Sequence, residues 1–258
     1  MRIRIFRADP AGNLTGFVLS PVHSQERAGL AARLMAQDPS IEQVAFIDEA
    51  SLSGPLPRMD MMGGEFCGNA TRSFALYAAK RRAEGERTLL VSVSGAGEPV
   101  RVWADAGREM AYADMPLPRG VQRIRIGGGE VPVVYMEGIA HAVLLGEEPS
   151  QARAREVLEA MPREDAQGVL FAGEGHLTPL VYVRATNTCV WEGSCGSGSV
   201  ALAWLLALDA QDGEHAYAFT EPGGVLEVRV RAERGKIVRA VMGGKVVLGE
   251  EEEIDVPL

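Results

Sequence analysis

The sequence predicts a mixed α/β (α+β) fold in two pseudo-symmetric halves, each a mixed or antiparallel sheet wrapped around a central helix. Three observations carry this expectation: short alternating apolar segments, a few helical stretches between them, and a cysteine-glycine element that occurs twice in the 258 residues. A period of two marks a strand with one buried face, and a period near 3.6 marks an amphipathic helix. In chain order, Ile3 and Ile5 alternate with Arg2 and Arg4 in a first strand at 2–6, and a helix follows at 24–37. A strand at 43–47 precedes the helix at 68–82, and strands at 89–93 and 100–103 close the first half. The second half carries a weaker helix at 151–160, a strand at 179–183, a helix at 196–210, and strands at 226–230 and 236–242. Gly, Pro or Asp bounds most strands. Strict strand-helix alternation is rare, which argues against a doubly wound parallel sheet.

Composition narrows the class. With 47% hydrophobic and 24% charged residues, the chain is in the globular range and can bury a large core. Its longest apolar run, 200–208, is about half the roughly 18–20 residues of a spanning helix. The first ten residues carry charge without a following apolar block, so the expectation is a cytoplasmic protein with no membrane partner. A net charge of -9, with no basic stretch beyond Lys80-Arg81-Arg82, argues against a nucleic-acid partner. Lys80, Lys236 and Lys245 are the only lysines, so candidates for a Schiff base are few. Three cysteines, Cys67, Cys189 and Cys195, do not make a disulfide framework.

The repeat is more specific. Residues 65–72 and 193–200 both place Cys-Gly and small polar residues immediately before an Ala/Leu-rich helix, and the two cysteines are 195 − 67 = 128 residues apart. That spacing predicts domains at 1–117 and 118–245, joined near 115–120, with a final strand at about 246–258 returning to the first. Two-fold pseudo-symmetry would make the two helix N-termini face one another across a cleft, which is the expectation from the repeat.

The first turn of a helix leaves N–H groups unpaired and carries partial positive charge. Such a position stabilises a thiolate and binds a carboxylate. The backbone N–H groups of Gly68, Asn69, Gly196 and Ser197 are therefore candidates to hold an α-carboxylate, with Cys67 and Cys195 as the catalytic acid/base pair. One sulfur removes the α-proton of an amino acid and the other returns a proton from the opposite face, with no metal and no organic cofactor. Cys189, in a strand-like segment with no following glycine, reads as structural.

These residues resemble the diaminopimelate epimerase superfamily of cofactor-independent two-cysteine racemases and epimerases. Cys67-Gly68-Asn69 is similar to that family's C-G-N-G motif, and 194–198 to its A-C-G-T-G motif. The resemblance implies substrate-binding roles for Asn13, in a G-N element, and for Gln43 at the amino-acid head. It also places His141 in a G-N-P-H-like element as a structural or pocket-wall residue. It implies a homodimer. The departures bear on the substrate: the nine residues 186–194 contain no Arg for a distal carboxylate, and Ile139, Gly168 and Arg58 stand where the family carries Asn. A buried site built for a second amino-acid head does not lose so many partners, so diaminopimelate fits poorly.

A closer resemblance is to the histidine racemases of staphylopine-type opine metallophore biosynthesis, carried by 42–47, 65–71, 179–183, 191–198 and 221–224. Glu192 is then a candidate for the ammonium or imidazole of an amino-acid substrate, Glu65 a weaker one, and Trp191 a core residue or a pocket wall. Arg72 reads as a scaffold ion-pair residue. The alternatives are a racemase or epimerase of another amino acid, of diaminopimelate or proline type, a non-catalytic amino-acid-binding protein, and a thiol redox or metal module. No C-x-x-C occurs, so zinc-ligand spacing is absent and no metal site is expected.

Overall fold

The computed structural model describes residues 1–83, 85–184 and 187–257. The chain divides into two compact units, Met1–Asp114 with Gly243–Leu258, and Met115–Met242.

The first unit runs β1 (Arg2–Asp9), β2 (Thr15–Val18), α1 (Ser24–Gln37), β3 (Gln43–Asp48), a 3-10 turn at Glu49–Ser53, β4 (Arg58–Met61), α2 (Gly68–Arg81), β5 (Glu86–Val93), β6 (Val100–Asp105) and β7 (Met110–Met115). Neighbours pair in sequence order: β1 with β2, β3 with β4, β5 with β6 and β6 with β7 antiparallel, and β2 with β3 and β4 with β5 parallel. Strand alternation sorts the side chains between the two helices. Phe6, Phe17, Ala45 and Ile47 pack with Phe74 and Leu76 of α2, while Ile3, Ile5, Val18, Val44 and Phe46 pack with Leu30 and Leu34 of α1. Phe6 stacks on both Phe17 and Tyr77, with ring centroids 4.7 and 4.1 Å apart.

Every residue of α2 from Gly68 to Ala79 is buried, so this helix is an axial core element rather than an amphipathic surface one. Its polar side chains are bonded inside. Thr71 Oγ1 donates to the Cys67 carbonyl, Ser73 Oγ to the Asn69 carbonyl, and Arg72 Nη1 to the carbonyls of Gly244 and Lys245. The scaffold role expected for Arg72 thus runs through backbone carbonyls.

The second unit runs β8 (Gly120–Ile126), β9 (Gly129–Tyr135), β10 (Ile139–Leu145), α3 (Gln151–Ala160), β11 (Ala166–Gly173), β12 (His176–Val183), β13 (Thr188–Trp191), α4 (Gly196–Leu206), β14 (Gly213–Glu221), β15 (Gly224–Glu233) and β16 (Lys236–Lys245), the last crossing into the first unit. Antiparallel pairs join β8 to β9, β9 to β10, β11 to β12, β12 to β13 and β14 to β15. Parallel pairs join β10 to β11 and β12 to β14. The chain then adds β17 (Val247–Leu248) and β18 (Glu252–Asp255), which pair antiparallel with β1.

β10 and β11 are buried on both faces, which is why their apolar runs show no period of two. Ala142, Leu144, Val169 and Phe171 pack with Ala154 and Val157 of α3, and the alternate residues His141 and Leu170 face α4. The helix expected over 196–210 ends at Leu206. Beyond it the backbone tightens into turns, with Leu208 N–H bonded to Leu205 and Ala210 N–H to Ala207. Among the described residues, no helix is long and apolar enough to cross a membrane.

Candidate active site

Each unit presents one cysteine as the N-cap of its buried helix. Cys67 has extended backbone angles, φ -127° and ψ 113°, and its Sγ accepts the Ala70 N–H at 3.4 Å. Its thiol therefore occupies the position in which a Ser or Asp side chain ordinarily caps a helix. The loop leading to it is held by Ser94, whose Oγ donates to the Glu65 carbonyl at 2.9 Å. Gly95 leaves that loop its space, because a Cβ there would overlap the backbone of Glu65 and Phe66.

Parallel pairing of β2 and β3 sets Thr15 beside Gln43. Gln43 Nε2 is within hydrogen-bond distance of three acceptors, Asn13 Oδ1 at 2.6 Å, Thr15 Oγ1 at 2.9 Å and Cys67 Sγ at 3.2 Å. Asn13 Nδ2 in turn donates to Glu42 Oε2 at 2.6 Å. Asn13, Gln43 and Cys67 thus share one polar cluster, while Asn69 Oδ1 accepts from Arg72 Nε at 3.2 Å in the first turns of α2. Burial pushes the Cys67 thiol above its ordinary range, against the opposing pull of the Ala70 N–H, the Gln43 amide and the Asn69 N–H. Glu65 is exposed.

Cys195 is more deeply enclosed, at 6% exposure, and caps α4 with φ -125° and ψ 102° but without a side-chain cap bond. Its Sγ lies 3.5 Å from Ser197 Oγ, which is 2.9 Å from His141 Nε2. The Cys195 N–H donates to Glu221 Oε2 at 2.7 Å, and Ser199 Oγ donates to the other oxygen of the same carboxylate. Burial, then the charges of Glu192 and Glu221, push the Cys195 thiol well above its ordinary range. Gly196 and Ser197 form the first turn, and Glu192 is half-buried in the loop before it.

His141 is fully buried, and burial pulls its pKa down to about 3. The ring is therefore neutral at neutral pH, and its Nδ1 finds no hydrogen-bond partner among the described residues. Gly168 makes room for it, since a Cβ there would overlap the ring. Two further residues depart from expectation. Trp191 is 38% exposed and lies against Phe171 and Gln151, on the α3 side of the sheet, so it is not a core residue. Cys189 is exposed on β13 rather than packed, because all four residues of that strand are exposed. Sequence reasoning missed Glu221 and the Ser197 contact to His141. Residues 26 and 56 positions apart leave no local spacing to read.

The fold is one shared with PhzF-family and proline racemase-type proteins. It resembles the Bacillus anthracis phenazine biosynthesis protein of the PhzF family, with TM-score 0.73 and 16% identity over 99% of this chain and 100% of that one. A probable proline racemase from Agrobacterium radiobacter gives TM-score 0.68 at 14% identity, covering 99% and 93% of the two chains. A hydroxyproline epimerase from Agrobacterium vitis gives 0.67 at 13%, covering 98% and 92%. At these identities the likeness is one of fold.

Sequence similarity is narrower: the family model described as the histidine racemase CntK N-terminal domain matches residues 2–252, and the chain belongs to that family. A histidine racemase from Fusobacterium nucleatum is 29% identical over 216 residues, 78% of this chain and 80% of that protein. One from Staphylococcus aureus is 27% identical over 244 residues, 88% of each.

Proposed function

We propose that this protein is a histidine racemase working through two thiols, with Cys67 and Cys195 as the acid/base pair. The observation that carries the reading is that both buried helices, α2 and α4, begin at a Cys-Gly step with the cysteine as N-cap. In the proposed reaction, a thiolate takes the α-proton, forming S–H as the Cα–H bond breaks. The electron pair left on Cα delocalises into the carboxylate, and the other thiol then delivers its proton to the opposite face. The first-turn N–H groups of Gly68, Asn69, Gly196 and Ser197 hold that carboxylate and stabilise the charge it gains. Asn13 and Gln43 orient the amino-acid head beside Cys67, and Glu192 takes the ammonium or the imidazole. No step requires a cofactor. The finer reading is a cytoplasmic homodimer that makes D-histidine for an opine metallophore, supported by the runs of sequence that resemble that subgroup.

The test is isotope exchange. Incubated with L- or D-histidine in deuterium oxide, without pyridoxal phosphate or added metal, the protein is expected to place deuterium at Cα and equalise the enantiomers. Cys67→Ser and Cys195→Ser are each expected to abolish racemisation. No exchange with histidine overturns the substrate, and full activity in either variant overturns the two-thiol mechanism.

A further inference from the structure

The two sulfurs differ in one respect: a buried carboxylate is bonded to the backbone N–H of Cys195, and Cys67 has no such partner among the described residues. Around Cys67 the hydrogen-bonding neighbours are donors: the Ala70 N–H and Gln43 Nε2 both address Sγ, and the charged groups near it are Glu65 in the same loop and Glu42 behind Asn13. Around Cys195 the charged groups are two carboxylates, Glu192 from the preceding loop and Glu221 from the end of β14. Two donors also address this sulfur, the Ser197 hydroxyl and the Gly198 N–H; neutral His141 from β10 lies behind Ser197, and Leu170 of β11 and Met242 of β16 pack at Gly198 and Gly196. Glu221 is 4% exposed and is bonded at both oxygens to α4, by the Cys195 N–H and the Ser199 hydroxyl. A carboxylate ordinarily favours a helix N-terminus, but this one also stands where a second negative charge on the cap residue is opposed.

We propose that Glu221 is a positioning residue that holds Cys195 in its protonated form, so that Cys67 is the first of the two sulfurs to ionise and Cys195 carries the proton to be delivered. This rests on the two-thiol reading above. It makes the pair unequal before substrate arrives, and gives the enzyme one stored proton on a known sulfur. The Cys195 N–H bond keeps the cap in register while the charge acts on the thiol, so the same side chain sets geometry and protonation.

The experiment reads thiolate ultraviolet absorbance against pH in single-thiol proteins, Cys67→Ser/Cys189→Ser and Cys189→Ser/Cys195→Ser. Cys67 is expected to ionise at lower pH than Cys195. Glu221→Gln keeps an acceptor for the Cys195 N–H while removing the charge. It is expected to lower the Cys195 midpoint by about one pH unit, about tenfold more thiolate at a given pH below it, and to leave the Cys67 midpoint in place. An unmoved Cys195 midpoint in a variant shown folded by circular dichroism overturns the proposal. So does Cys195 ionising at or below the pH of Cys67, a comparison that stands even where Glu221→Gln does not fold. Neither readout needs turnover, so these outcomes are separate from a failure of racemisation, which isotope exchange detects.

Discussion

His141 shows what a single side chain contributes and costs. Fully buried, with Nε2 on Ser197 and a pKa pulled down to about 3 by burial, it is neutral in the folded protein wherever an exposed imidazole would begin to charge. The unfolded chain, with a pKa near 6.5, binds the proton more readily, so stability from this group is complete above about pH 6.5 and lost as the pH falls toward 3. Between pH 6.5 and 5 the loss is about 2 kcal/mol by that linkage. Urea unfolding at several pH values is expected to show a decline over this window that is smaller in His141→Asn. Parallel curves for the two proteins would sink the assignment. The same residue was legible in sequence only as a motif position. Its partner Ser197, and the gap at Gly168 that admits the ring, are properties of β10, β11 and α4 packed together.

At the scale of elements, α2 and α4 do two jobs, because the turns that present Cys67 and Cys195 also begin the helices buried in each unit's interior. Phe74, fully buried in α2 among Phe6, Phe17 and Val91, ties the first of these helices to its sheet. Phe74→Ala is expected to cost about 3–5 kcal/mol in urea unfolding, the range for emptying an aromatic site in a packed core. A loss below about 1 kcal/mol would mean that the helix is not anchored there. Both helices were legible from their Ala/Leu content and the glycines after each cysteine. The strands were legible where one face is buried, as in β1, and hidden where both are, as in β10 and β11, because burial on two faces erases the alternation.

At the scale of the whole molecule, the chain end is part of the first unit. β17 and β18 lie along β1, and the carbonyls of Gly244 and Lys245 accept the buried Arg72 guanidinium. Truncation after Met242 removes those strands and leaves a buried cation without two of its acceptors, an uncompensated loss of several kcal/mol for a charged group. The truncated chain is expected to lose protection in 1–114 by hydrogen-exchange mass spectrometry. Native-like protection there would show that β1 and α2 hold without the returning strands.

The amino-acid sequence by itself determined the α/β class, the two helices entered by cysteine, and the resemblance that the family match later made specific. These are local properties, set by periodicity and by which residues stand beside a helix start. Only the tertiary structure decided the surroundings of each sulfur. Donors gather at Cys67 through the register of β2 with β3, and a carboxylate reaches Cys195 from 26 residues further along the chain. Protonation depends on distance in space, which strand pairing and core packing set and sequence spacing does not.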